Sequence, residues 1–113
     1  GGNPLACHVA REALKVLKEE KLADRSSKMG NYFQEKLKAI NSPFVQEVRG
    51  KGLLIGVEVK KTGLTAHEFC ERLIKLGILC SDTKEYVIRF APPLTITRRQ
   101  LDWALNKIRQ VLT

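Results

Sequence analysis

The sequence predicts an α+β domain: a short, mostly antiparallel sheet with helices packed on one face. Three observations carry that prediction. Apolar residues recur at helical spacing through the first third of the chain, and again after Thr65 and after Thr97. Between these stretches the period drops to two, with Leu53, Ile55, Val57 and Val59 in alternation. The two later helical stretches each open on a capping-box pattern, Thr65-Ala66-His67-Glu68 and Thr97-Arg98-Arg99-Gln100.

Each element has a local reason. Asn3 suits an N-cap and Pro4 the first helical position. Leu5, Val9, Ala13 and Leu17 then place a first helix over about 4–19. Leu22, Met29, Phe33, Leu37 and Ile40 mark a second helix that ends before Asn41-Ser42-Pro43, with the break near Lys21. Phe44 to Arg49 reads as a strand, Gly50-Lys51-Gly52 as a tight turn, and the alternating residues from Leu53 as a second strand. The helix after Thr65 presents Phe69, Cys70, Leu73 and Ile74 to a core, and Gly77 closes it. Ile78 to Cys80 is a short strand, Ser81 to Glu85 a polar connection, and Tyr86 to Phe90 the last strand. The terminal helix lines up Leu101, Ala104, Leu105, Ile108, Val111 and Leu112 on one stripe.

A chain of 113 residues holds one modest core. There is no repeat, no low-complexity linker, and no apolar run long enough to span a bilayer. Gly-Gly-Asn-Pro without an initiator Met reads as an internal point of a longer polypeptide. The formal charge of +8 is carried by dispersed lysines rather than by a basic block interleaved with aromatics. That pattern describes a solvated surface and argues against nucleic acid as a partner. Cys7, Cys70 and Cys80 are odd in number and lack zinc-ligand spacing, so they read as reduced, buried thiols.

The chemistry concentrates at Val87-Ile88-Arg89-Phe90-Ala91-Pro92-Pro93-Leu94. An arginine between Ile88 and Phe90 is costly to bury without an anion. It marks either a buried structural ion pair or a site for a small acidic molecule, which its forked guanidinium suits. Elsewhere the signals are weak. His8 and His67 lie on helices without metal-ligand spacing, and Ser26-Ser27 has no base beside it. Gly50-Lys51-Gly52 is too short for a phosphate loop and leads into a strand. Trp103 reads as core or as an inter-domain contact. Gly1-Gly2 before a helix start offers backbone N–H groups to an anion, though a plain helix start explains it equally.

Three segments together resemble the class III pyridoxal-phosphate aminotransferases. They are Gly-Gly-Asn-Pro-Leu-Ala-Cys at 1–7, Glu-Val-Arg-Gly-Lys-Gly-Leu-Leu-Ile-Gly-Val-Glu at 47–58, and Ile-Arg-Phe-Ala-Pro-Pro-Leu at 88–94. The last looks most like the ornithine-specific members. The resemblance implies the C-terminal part of a fold-type I subunit. Residues 1–20 would lead out of the large domain, and 21–113 would form the small C-terminal domain. It implies transfer of the δ-amino group of ornithine to 2-oxoglutarate, with pyridoxal 5′-phosphate as cofactor and a homodimer as the assembly. The expected compartment is the cytoplasm, or the mitochondrial matrix in a eukaryote. Arg89 matches the arginine that takes the α-carboxylate of glutamate or 2-oxoglutarate, masked by a glutamate elsewhere in the subunit while ornithine reacts. Gly1, Gly2 and Asn3 match a segment near the cofactor phosphate at the dimer interface. The Schiff-base lysine of the family lies upstream of its matching segment, so 113 residues alone are expected to be inactive. Thr83-Lys84-Glu85 departs from the usual Thr-His, and His8 stands where a small residue is usual. Acetylornithine and 4-aminobutyrate enzymes share the Gly-Asn-Pro and Arg-Gly-x-Gly landmarks and are the near alternatives. A stand-alone, non-catalytic binding module is the alternative of a different class.

Overall fold

A computed structural model describes residues 4–113, with side chains at 15 and from 18 onward. The expectations for Gly1, Gly2 and Asn3, and for the Cys7 and His8 side chains, lie outside the described residues. Helix α1 spans Pro4–Lys38 and is followed by strands β1 (Val45–Lys51) and β2 (Leu54–Val59). Helix α2 (Ala66–Lys75), strands β3 (Ser81–Lys84) and β4 (Val87–Phe90), and helix α3 (Arg98–Leu112) complete the order. The four strands form one sheet in the order β1-β2-β4-β3, with every neighbouring pair antiparallel. The expected α+β architecture is therefore present.

Two elements differ from the sequence expectation, each for a physical reason. The two opening helices are one, Pro4–Lys38. No Gly or Pro lies near Lys21, so nothing in the backbone interrupts hydrogen bonding there. The third strand runs over Ser81–Lys84, which had read as a connection, and not over 78–80. Gly77 sits at φ 90°. Its N–H donates to the Ile74 carbonyl and that of Ile78 to the Leu73 carbonyl, which is a Schellman closure. Ile78 is thereby folded back to plug the core at 8% exposure, and pairing begins only at Ser81. All four residues of β3 are exposed, as an edge strand permits.

The two capping boxes form as read. Thr65 accepts from the Glu68 N–H while the Glu68 side chain accepts from the Thr65 N–H, and Thr97 and Gln100 repeat the exchange. The core lies between the sheet and the helices. Val48, Ile55, Val57, Val59, Ile88 and Phe90 face it from the strands; Phe33 and Leu37 face it from α1, Phe69 and Leu73 from α2, and Leu101, Ile108 and Leu112 from α3. Full burial of one such side chain is worth about 1.5–3 kcal/mol. Helix α1 packs on β1 and β2, α2 packs on β3 and β4, and α3 packs against both helices. Ile74, expected in the core, is half exposed, because the stripe that meets the sheet is Ala66, Phe69, Cys70 and Leu73. Trp103 is 50% exposed and covers Gly77 instead of filling the core.

Two contacts fix α1 to the sheet. A Cβ on Gly30 would lie 1.9 Å from the Gly52 carbonyl oxygen, so glycine lets the helix rest directly on the β1–β2 turn. Ser26 Oγ accepts from the Leu53 N–H in the same turn, at 3.3 Å. Arg25 then donates to the carbonyls of Leu94 (2.7 Å) and Ile96 (2.6 Å), tying down the chain just beyond β4.

Candidate functional site on the open face of the sheet

All three helices lie on one side, which leaves the other face of the sheet free of helices. Strand alternation decides what that face carries. In β1, Val48 turns inward while Glu47 and Arg49 turn outward. In β2, Ile55, Val57 and Val59 turn inward, which leaves Leu54, Gly56 and Glu58 on the open side. In β4, Ile88 and Phe90 are buried and Arg89 is exposed. Of the two sequence expectations, the buried ion pair does not form, since Arg89 lies exposed on the open face. Ile88 and Phe90 do not bury Arg89, because residues adjacent in a strand point to opposite faces. No acidic group among the described residues lies within 4 Å of it.

The register places four residues in one row across the sheet. Arg49 pairs with Gly56, Gly56 with Arg89, and Arg89 with Ser81. Two arginines therefore stand two strand spacings apart, about 10 Å between Cα atoms, with no side chain between them. A Cβ on Gly56 would meet Val87 Cγ1 at 3.6 Å and Arg49 Cγ at 4.0 Å, which confirms that these groups share the face. The result is a shallow trough with a guanidinium on each bank.

The next row is acidic at one end. Glu47 lies opposite Glu58, Glu58 opposite Val87, and Val87 opposite Lys84. The ladder runs unbroken from the Lys51–Leu54 pair to this one, and its irregularity comes only beyond it, between Val45 and Glu47. Like charges directly opposite destabilise a strand pair. Arg49 offsets that here: its Nη1 lies 3.2 Å from Glu47 and 3.8 Å from Glu58. Arg49 is thus engaged, while Arg89 presents its donors outward. With no acidic partner among the described residues, the fork of Arg89 keeps the donor geometry that suits a carboxylate.

Arg89 was readable from sequence; Arg49, Gly56, Glu58 and Ser81 were not singled out. The signal was the outward half of the same alternation, with Glu47, Arg49, Gly56 and Glu58 set between Val48, Ile55, Val57 and Val59. Register was the missing piece. The turn is the two-residue loop Gly52-Leu53, closed by the Lys51–Leu54 pair, and not Gly50-Lys51-Gly52. Gly52 at φ 55° followed by a residue of negative φ is the type II′ pattern.

The remaining polar groups do other things. His67 on α2 meets Glu71 at 3.1 Å and Asp82 of β3 at 3.4 Å, all on the surface. The hydrogen bond with Asp82, then the charge of Glu71, raises its pKa above the ordinary 6.5. Cys70 is buried and Cys80 half-buried, and burial pushes both thiols up, so neither is a thiolate nucleophile near neutral pH. An apolar groove of about 600 Å³ between Phe90, Pro92, Trp103 and Ala104 offers no charge to an acid. Among the described residues no group of His, Cys, Asp and Glu is arranged to hold a metal. No described helix is long and apolar enough to cross a membrane. The described lysines are exposed, apart from half-buried Lys107, which lies over the Trp103 ring. None is enclosed in the manner a Schiff-base lysine requires.

The comparisons with known proteins agree with one another. The family model described as aminotransferase class-III matches residues 1–112. An ornithine aminotransferase of Macrococcus caseolyticus is 56% identical over 113 residues, all of this chain and 28% of that protein. Among solved structures, an ornithine aminotransferase from Plasmodium yoelii superposes with a TM-score of 0.79 at 40% identity, covering 99% of this chain and 30% of that one. An acetylornithine aminotransferase from Elizabethkingia anophelis also superposes at 0.79, with 39% identity and the same coverage. The chain therefore spans under a third of the length of the relatives it matches.

Proposed function

Because this chain belongs to the class-III aminotransferase family, we propose that the protein it forms part of is an ornithine aminotransferase. It passes the δ-amino group of ornithine to 2-oxoglutarate and yields glutamate semialdehyde and glutamate. One observation carries the local part of this reading: Arg89 stands exposed on the open sheet face beside Gly56. There its fork receives the α-carboxylate of 2-oxoglutarate or glutamate.

The described residues do not form the cofactor seat, since they supply no enclosed lysine. Pyridoxal phosphate belongs to the rest of the subunit, where it supplies the amino-group carrier. Residues 21–113 act as the small domain that brings Arg89 to that site, and 1–20 lead out of the large domain. Gly1, Gly2 and Asn3 lie near the cofactor phosphate at a homodimer interface, and the enzyme works in the cytoplasm or an organelle matrix. The 113 residues alone do not transaminate.

A second reading, an acetylornithine aminotransferase, has the equal superposition in its favour. Ornithine is preferred because curated relatives at 52–56% identity carry that name. A substrate panel on the full-length enzyme separates the two. Ornithine should turn over at least tenfold faster than acetylornithine or 4-aminobutyrate, and the reverse order overturns the assignment.

A further inference from the structure

We propose that Arg49 is a positioning residue that keeps Arg89 open by holding Glu58 away from it. The inference rests on the carboxylate-binding reading of Arg89 and adds a regulator of that same position. Glu58 is in β2, the strand between the two arginines. Arg49 and Arg89 both pair with Gly56, two residues before Glu58 on the same face. Glu58 is therefore the diagonal neighbour of both guanidiniums, and diagonal partners are within reach of long side chains. The contact it makes is with Arg49, at 3.8 Å. Glu58 is 34% exposed and Arg49 48%, so neither is locked by burial and the choice of partner is a matter of charge.

Glu47 supplies the directional push. It sits opposite Glu58 on the side away from Arg89, and the two carboxylates repel. Arg49 Nη1 bonds Glu47 at 3.2 Å and reaches Glu58 as well, so it neutralises that repulsion. Without Arg49, Glu58 is pushed off the β1 side toward β4, where Arg89 is the nearest cation that the register offers. A Glu58–Arg89 pair would occupy the fork that the substrate carboxylate needs. Val87, opposite Glu58, leans its Cγ1 to within 3.6 Å of where a Gly56 Cβ would stand, so the Glu58 carboxylate reaches the Arg89 head by passing over Val87.

The test is kinetic and uses the full-length enzyme with pyridoxal phosphate bound. In R49Q, KM for 2-oxoglutarate should rise about three- to fivefold, the upper scale of one exposed ion pair. The ornithine half-reaction, which does not need Arg89 open, should stay within twofold of wild type. The second substitution decides the matter: R49Q/E58Q should return KM to within about twofold of wild type. A rise that E58Q does not rescue means that Arg49 acts by itself or through the fold, and the inference is wrong. No rise in R49Q is equally against it. R89Q is run alongside. If it leaves KM for 2-oxoglutarate unchanged, the reading of Arg89 fails and the inference with it. If R89Q raises KM and R49Q does not, the inference alone fails. Should R49Q not accumulate as folded protein, R49K carries the same test. Its ammonium lacks the fork and holds Glu58 more weakly, so a smaller rise, again rescued by E58Q, is the expected result.

Discussion

At the scale of single residues, two positions have consequences that reach beyond their own contacts. Gly30 is required by proximity: a methyl there would overlap the Gly52 carbonyl at 1.9 Å. Both sides of that contact are backbone, so relief demands that α1 move off the hairpin. Gly30→Ala should therefore destabilise the protein by about 2 kcal/mol or more, despite the better helix propensity of alanine. Thermal unfolding of the full-length variant checks this, and an unchanged or higher midpoint would contradict the close packing. Along the sequence Gly30 is only a poor helix former; the reason for it lies in a turn about twenty residues away. His67 is the reverse case, a residue that looked inert and links two elements. Its protonated ring joins α2 to β3 through Asp82, with Glu71 beside it. Because its folded pKa is raised above 6.5, this contribution is complete below 6.5 and is lost as pH rises through the raised value. Hydrogen exchange at Ser81–Lys84 should accelerate as pH is raised through that window, beyond its intrinsic base catalysis. His67→Gln should remove the extra acceleration.

At the scale of elements, the caps were fully legible and the boundaries were not. Thr65 and Thr97 close capping boxes because the pattern needs only four consecutive residues. Thr65→Ala and Thr97→Ala should each cost about 1 kcal/mol, read as a lower unfolding midpoint, with Ser at either position restoring most of it. Helix α1 shows the limit of periodicity. Its apolar stripe fades near Lys21, but a faded stripe is not a stop signal, and the helix runs through. Strand β3 shows a different limit. Ser81-Asp82-Thr83-Lys84 has no apolar residue, so alternation was silent, and only the neighbouring β4 edge recruits it. Edge strands made of polar residues are invisible to pattern reading because they bury nothing.

At the scale of the whole molecule, the sheet divides two jobs between its faces. One face packs Phe33, Phe69, Leu101 and their neighbours and holds the domain together. The other carries the Arg49–Gly56–Arg89–Ser81 row and does no packing against the helices. The division explains why sequence reasoning found Arg89 and misjudged its surroundings. An arginine inside an apolar strand stands out in one dimension, whereas its partners across the sheet appear only once register is known. It also explains why mutations on the two faces should differ. Phe33→Ala should lose about 3–5 kcal/mol of stability, while Arg89→Ala should leave the unfolding midpoint nearly unchanged. Differential scanning of the two full-length variants separates them.

The most direct measurement is single-turnover kinetics of the two half-reactions in full-length Arg89→Ala. Loss of a charge-assisted bidentate contact costs on the order of 2–4 kcal/mol. The reaction with 2-oxoglutarate should therefore fall in efficiency by at least tenfold, while that with ornithine stays near wild type. Equal loss in both half-reactions, or no loss in either, would contradict the assignment of Arg89 as the seat of the substrate carboxylate.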